Sequence, residues 1–510
     1  MSWGDEMLPY LKAGNARSEQ YAVAFYGLNW SENFRDGEFS ACENLSAHRF
    51  PCLSQRFARS VEGSYPDPAG LLTKEGLVVV HGTSVVCRGK TVGTVTPGRK
   101  QLAAVGRYVV IFPDKACYDV ENDVFCSLEA ECTVTGAVFT GDAITAEGVS
   151  FPFRVGDAVT VSGCAAAENN QTVIVRRVEE GVLGFYENTF AEATEGGSVT
   201  LKRSVPALDY ICESNCRLWG TSGNTIYASR YGDPFNFQAF DGLAGDSYAM
   251  DVSTEGAFTG CIPYSGHICF FKENTLHKLY GSKPSNYQVV TSRVHGLQAG
   301  SERSLCVINE TLFYKGAEGV YAYTGGIPEL VSADFGTRRF DSACAATDGT
   351  RYYLSMRGTD GWHLLTYDVL RDLWLREDDL PCVAMTEHQG QVYLLAADGT
   401  LYRVDRDADG GDIPWSVTFC PFSETVKERK GYSRFWLRME LGAGSWLKVE
   451  LRRDGAGTWE TIHTTHNARA RTVSIPVLPA RCDSVEIRIS GRGACLLRTF
   501  VREFHVGSDV

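Results

Sequence analysis

Between Arg217 and Tyr323 three segments follow one plan: RLWGTSGNTIYAS, HICFFKENTLHKLYG and ETLFYKGAEGVYAYTG. Each sets one aromatic or β-branched run against another, with a few turn residues between them (Ser222-Gly223-Asn224, Glu273-Asn274, Gly316 with Gly319). Apolar strands split by such turns predict antiparallel hairpins. The plan extends upstream through GLVVVHGTSVVCRGK (Gly76 to Lys90) and RYVVIFPDKACYDV (Arg107 to Val120). It extends downstream through RYYLSMRGTDGWHLLTYDV (Arg351 to Val369) and QVYLLAADGTLYRVD (Gln391 to Asp405). About seven hairpins at roughly 40-residue spacing, one interruption aside, match the blade period of a β-propeller.

A lone hairpin cannot bury its apolar faces, whereas blades stacked around an axis can. The expected fold is therefore all-β: a β-propeller of six to eight blades, seven favoured. The interruption, residues 127–204, carries VGDAVTVSG, QTVIVRRVEEGVLGFYE and GSVTLKRS, which alternate with period two but lack the blade hairpin. It reads as a small β-barrel or sandwich inserted between propeller segments 41–126 and 205–404. The stretch 405–414, DRDADGGDIP, reads as an acidic linker. Beyond it six alternating strands over 415–510, from YSRFWLRMELG to CLLRTFVREFHVG, predict a C-terminal β-sandwich. Residues 1–40, with isolated aromatics among Gly, Asn and Ser, read as an irregular arm. From Glu43 to Arg59 the chain is expected to enter the first blade.

Composition sharpens this picture. With 510 residues, 44% of them hydrophobic, the chain can bury a large core in two or three domains. Fifty-two glycines and an aromatic content of 11% fit strands and turns. A formal net charge of -13 makes the average surface repel nucleic acid and anionic membrane. Basic runs are short, such as Arg176-Arg177 and the ERK segment ending at Lys430. No apolar run approaches a membrane span, and residues 1–29 lack a secretory leader pattern, so no membrane insertion is expected. The 17 cysteines are odd in number, and Cys87, Cys117, Cys269, Cys306 and Cys344 sit inside strand patterns, where free thiols act as small apolar side chains. That fits folding in a reducing cytosol and leaves the sequons at Asn29, Asn44, Asn170 and Asn309 without meaning.

Catalytic motifs are scarce. No nucleophile elbow, zinc-protease helix, CxxC pair or dinucleotide loop is present, and no cofactor is expected. Gly89-Lys90-Thr91 resembles the end of a phosphate loop, but Ser84 stands where the partner glycine belongs and the setting is a hairpin. Cys212 with Cys216, and Cys126 with Cys132, lack the spacing and histidines of a zinc site. Asp405, Asp407 and Asp409 followed by Gly410 match the first half of a calcium loop, whose closing acidic position is Ser416. They form the weak metal candidate, against a solvated acidic linker. Asp454 to Trp459 resembles the Asp box of sialidase-type propellers but departs at Arg452 and Ala456. Glu377-Asp378-Asp379 and the histidines at 81, 267, 277 and 295 complete the candidates, each read more simply as a surface or core residue. The GDPFNF segment has a structural reading: Gly232 frees the backbone, Pro234 stops ladder pairing, and Phe235 and Phe237 anchor a blade-to-blade clasp.

One set of motifs is more specific. Arg217-Leu218-Trp219-Gly220, Ile226-Tyr227, Gly232-Asp233-Pro234-Phe235-Asn236-Phe237 and Phe270-Phe271-Lys272-Glu273-Asn274 together resemble a family of tailed-bacteriophage and prophage structural proteins. These are the tail-hub or nozzle proteins, some called DNA-stabilisation proteins, and the resemblance runs from about Asn44 to the closing GSDV. It implies a non-enzymatic virion protein of the tail, made in the host bacterial cytoplasm. It further implies a homo-oligomeric ring, a hexamer favoured, joined to other tail or adaptor proteins around a channel through which DNA passes without sequence-specific binding. The competing expectations are a propeller that binds host glycan and, behind it, a propeller glycosidase needing clustered arginines and paired acids.

Overall fold

The computed structural model describes residues 17–240, 242–466, 471–478 and 480–506. Residues 1–16 of the expected arm, and the closing GSDV, lie outside them. Seven four-stranded antiparallel sheets occupy 68–94, 101–127, 210–251, 260–293, 306–330, 340–378 and 382–409. The last has three strands of its own and takes its fourth from Phe57–Ser64, which pairs with Thr400–Asp409.

Seven interfaces between neighbouring sheets close the ring. Val80 and Val85 of the first blade share a core with Val109 and Ile111 of the second. Trp219 and Ile226 of the third meet Phe270 and Leu279 of the fourth. The circle shuts where Leu71 and Val79 of the first blade pack against Ala384, Leu395 and Leu401 of the seventh. Each inner blade strand is thus covered on both faces, which is why runs such as LVVVH, YVVIF and HICFF are continuously apolar rather than alternating.

The interruption forms one eight-stranded sheet spanning 130–203. It folds over so that Val134 and Phe139 from one part share a core with Val159, Val175, Leu183 and Leu201 from the rest.

The N-terminal segment corrects two sequence expectations. Residues 17–43 are not an arm: Arg17–Ala22 pairs with Cys495–Val506, and Glu38–Glu43 pairs with Pro414–Phe419. Likewise 43–59 does not enter the first blade, because Leu45–Ser46 and Leu53–Gln55 join the sandwich and the next strand closes the seventh blade. The physical reason is burial. Phe25, Leu28 and Phe39, scattered among polar residues, have their partners in Phe419, Phe422 and Phe500 far along the chain. The acidic stretch is also partly strand, since Asp405 and Asp409 belong to the ladder with Phe57–Ser64.

The resulting sandwich has a seven-stranded and a six-stranded sheet. Its core runs without a break into the sixth blade through Tyr352, Leu365, Tyr367 and Trp374. Gly27 marks the close approach: a Cβ there would sit 2.6 Å from the Trp374 carbonyl oxygen, and its φ of +92° suits glycine.

Candidate functional site

Within each blade the second-to-third-strand turn and the connection to the next blade lie at the same end of the ring, so these segments form one face. At its centre the connection before the fifth blade makes a single turn, Glu302–Ser304, that dips into the propeller axis. Arg303 donates to the carbonyl oxygens of Val383 at 2.8 Å, Ala69 at 2.8 Å and Lys100 at 2.6 Å. These carbonyls come from the seventh and first blades and from the approach to the second. Burial, with Arg99 adding to it, pushes Arg303 down to about 10. Glu302 is held by Arg99 at 2.6 Å and Gln101 at 2.8 Å, and the Ser304 carbonyl accepts from Tyr352 at 2.6 Å. The propeller axis is closed at this end by a bonded plug.

Around the plug runs a trough. One depression of about 500 Å³ lies over the sixth, seventh and first blades and is lined by Asp67, Arg303 and Trp362. It shares Arg99 and Gly300 with a second, of about 450 Å³. That one shares Tyr210, Ala257 and Phe258 with a third, of about 1260 Å³, over the third, fourth and fifth blades.

Buried lysines brace the walls. Lys272 follows the FF of the fourth blade and donates to Asn224 Oδ1 at 2.8 Å and the Thr254 carbonyl at 2.7 Å, tying two blades together. Lys315 occupies the matching place in the fifth blade and reaches Gln298 Oε1 at 2.7 Å and the Gly316 carbonyl. With only neutral acceptors bonded, burial pushes Lys315 down to about 8 and lowers Lys272 as well. Lys100 instead has a carboxylate, Asp114, at 2.5 Å. His277, fully buried between the hydroxyls of Thr254 and Thr291, is held by burial at about 4 and is neutral near pH 7.

The GDPFNF segment is brought to the junction of the second blade, the third blade and the inserted sheet. Phe235 is 1% exposed; its ring meets Tyr108 edge-on at 5.3 Å and lies between the guanidinium groups of Arg154 at 4.0 Å and Arg203 at 5.2 Å. Arg203 is in turn paired with buried Asp157 at 2.5 Å. Asn236 donates to the Gly156 carbonyl at 2.8 Å, while Asp233 caps the Phe235 amide at 3.0 Å. Gly232 takes φ +71°, Pro234 is buried, and Phe237 packs in the same core. Trp219 lies one interface away, edge-on to Tyr287 at 5.2 Å. Arg217 organises the loop 229–247 by donating to the carbonyls of Ser229, Ala244 and Asp246.

The other candidates fall in separate places. Asp405, Asp407 and Asp409 do not assemble a cation site: Asp409 faces Arg49 at 3.3 Å and His48 at 3.5 Å, and no cluster of three metal-donor residues exists among the described residues. Lys90 pairs with Asp123 on the surface. Glu377 and Asp378 hold Arg59. Burial alone would depress that guanidinium, but the two carboxylates outweigh it and its pKa ends above the ordinary range. Asp454 caps the amides of Asp483 and Ser484 in the sandwich, a turn-holding task. His81 and His267 bond backbone carbonyls, and His295 stacks on Tyr321.

All 17 cysteines are free. Cys126 lies opposite Cys117 across the second blade. A hydrogen bond from that thiol, with Arg154 4.0 Å from its sulfur, lowers Cys126 to about 6 and raises Cys117. Cys212 shares a core with Cys261 of the next blade.

Sequence reasoning missed the plug and the trough. Arg303 sits in SERSL, which carries no motif; the one available sign was the long connection from 294 to 305. The lysine after FF and FY was visible twice, and its repetition marked a shared bracing position.

No protein-family model and no curated protein matches the chain. Among solved structures it is similar in fold to the computationally designed Ika8 protein, at 14% identity and a TM-score of 0.36, covering 69% of this chain and 99% of that one. It is similar to BamB from Moraxella catarrhalis at 11% identity and a TM-score of 0.34, covering 69% and 97%. The β-propeller domain of Cps50 (Swd1) from Myceliophteria thermophila follows at 8% identity and 0.30, covering 68% and 98%.

Proposed function

We propose that this chain is a non-catalytic structural subunit of a phage tail, of the nozzle or hub kind, that assembles into a ring of its own copies, a hexamer favoured, around the path of DNA. The resemblance of its RLWG, GDPFNF and FFKEN motifs supports the reading, as does the use of its buried ions. Arg59, Arg203 and Lys272 join separate parts of the chain, while Arg217 and Lys315 brace their own blades. Such bracing suits a part that bears load.

The observation that carries self-association is the loop 229–247. It exposes Tyr231 at 60%, Phe240 at 62% and Leu243 at 58%, although Arg217 fastens its backbone to the third blade. Large apolar side chains held rigidly in solvent mark a protein contact. Because Arg303 closes the propeller axis, the passage for DNA in this reading lies between subunits, and the net charge of -13 keeps phosphate from sticking to it. Mass photometry of the full chain tests this. Oligomers that fall to monomers on replacing Tyr231, Phe240 and Leu243 with serine, with the melting temperature kept, are expected. A wild-type chain that stays monomeric, alone and with tail partners, overturns it.

A further inference from the structure

We propose that Cys126 is an oxidation site whose product is a disulfide with Cys117 across the outer ladder of the second blade. The two residues stand directly opposite in the register of Ala116–Asp119 with Val124–Ser127. Further along that register the Leu128 amide donates to the Lys115 carbonyl at 2.7 Å, and bonded and unbonded positions alternate from there. Cys117 and Cys126 therefore hold a bonded position, where Cα atoms are about 5.5 Å apart. A disulfide usually spans about 5.5–6 Å between Cα atoms, so the link fits the existing backbone. Both side chains meet one core, which also contains Phe235. Among the described residues no other two of the 17 cysteines oppose each other in a ladder.

The setting of Cys126 makes it the residue that reacts first. Cys117 is wholly buried, whereas Cys126 keeps part of its surface in solvent, so a small oxidant meets Cys126. Arg154 comes within 4.0 Å of the Cys126 sulfur, and Arg203 adds a second positive charge beyond the Phe235 ring. A thiol near guanidinium groups, partly open to solvent and beside a second thiol, has the surroundings of a redox-sensitive cysteine. The oxidant class is a hydroperoxide. The Cys126 thiolate takes the terminal peroxide oxygen with its hydrogen, giving a sulfenic acid, and the departing alkoxide or hydroxide takes a proton from water. The Cys117 thiol then attacks that sulfur, the S–O bond breaks, and the thiol proton leaves with the hydroxyl as water. Two thiols give up two electrons, and the peroxide accepts both. The product ties the outermost strand of the blade to its neighbour and takes from Arg154 its thiolate partner.

The test exposes the full, reduced chain to hydrogen peroxide and maps its peptides by mass after cleavage at glutamate. Glu121 lies between the two cysteines, so that cleavage separates them. A linked Cys117–Cys126 peptide pair is expected as the first product, and it should disappear on reduction. Cys126→Ser should remove it. Cys117→Ser should leave a sulfenic acid at Cys126 that dimedone captures. Arg154→Gln should slow the reaction several-fold, because the thiolate is the form that reacts. Cys126 is only half-buried, so its serine variant reports on the site even if replacing buried Cys117 unfolds the chain. Absence of the link at millimolar peroxide, Cys126 joined to a different cysteine, or a rate unchanged by Arg154→Gln overturns the proposal.

Discussion

Arg59 and Glu377 are 318 positions apart in sequence and form a buried ion pair, which ties the strand closing the seventh blade to the outer strand of the sixth. Asp378 adds a second contact at 2.6 Å. The ring is therefore latched electrostatically as well as by its strand ladder.

Replacing Arg59 with alanine strands two acids beside an empty site. Removing one partner of a buried pair costs about 3–5 kcal/mol, and urea unfolding of Arg59→Ala should show a loss in that range. A loss below about 1 kcal/mol, the worth of a surface pair, would mean that the ladder alone holds the ring shut.

Phe235→Ala removes the ring gripped by Tyr108, Arg154 and Arg203. A buried phenylalanine cut to alanine costs about 3–5 kcal/mol. Here the loss should be local as well: amides at Gly156 and Asp157, where the inserted sheet meets the clasp, should exchange hydrogen faster than in the wild type. Unchanged exchange there would refute the clasp.

Acid should weaken the fold through His48 and His277. Burial is the main cause in both, and each is lowered from 6.5 to about 4. A histidine depressed in the folded state favours folding fully above pH 6.5, and its contribution is lost as pH falls from there towards 4. Each proton taken up on unfolding contributes about 1.4 kcal/mol per pH unit in that window. His277→Gln should flatten the stability profile between pH 6 and pH 4, windows set by those two values. An unaltered slope would show that the imidazole is already protonated when folded.

Cys126, lowered to about 6 by the Cys117 thiol and then by Arg154, should be the thiol that reacts in mildly acidic solution. Its alkylation rate should level off above about pH 7. Arg154→Gln should move the Cys126 midpoint upward. A Cys126 rate that keeps climbing past about pH 8 would contradict the assignment.

The blades were legible in the sequence because each carries its own hairpin, so local alternation and turn residues suffice: HICFFKENTLHKLYG contains its partner strand. The inserted sheet announced itself by breaking that rhythm. What stayed hidden depends on contacts between distant positions. Phe39 finds Phe419, and Phe57–Ser64 finds Thr400–Asp409, through burial that no local pattern encodes. The GDPFNF clasp could be inferred as a clasp, since a proline between small and aromatic residues implies an anchored bend, but its guanidinium partners could not. The same limit explains Asp405, Asp407 and Asp409. Alternate carboxylates resemble a calcium loop, but here they lie on a bulge of the strand ladder between Asp405 and Asp409, and Arg49 pairs with Asp409.

The sandwich weaves residues 17–55 into the same two sheets as residues 414–506. During synthesis the opening strands must therefore wait for their sandwich partners until almost the whole polypeptide has left the ribosome. Nascent chains halted before residue 414 should expose Phe25, Phe39 and Leu53 to chaperones, and the finished fold should arise in one late, concerted step rather than blade by blade.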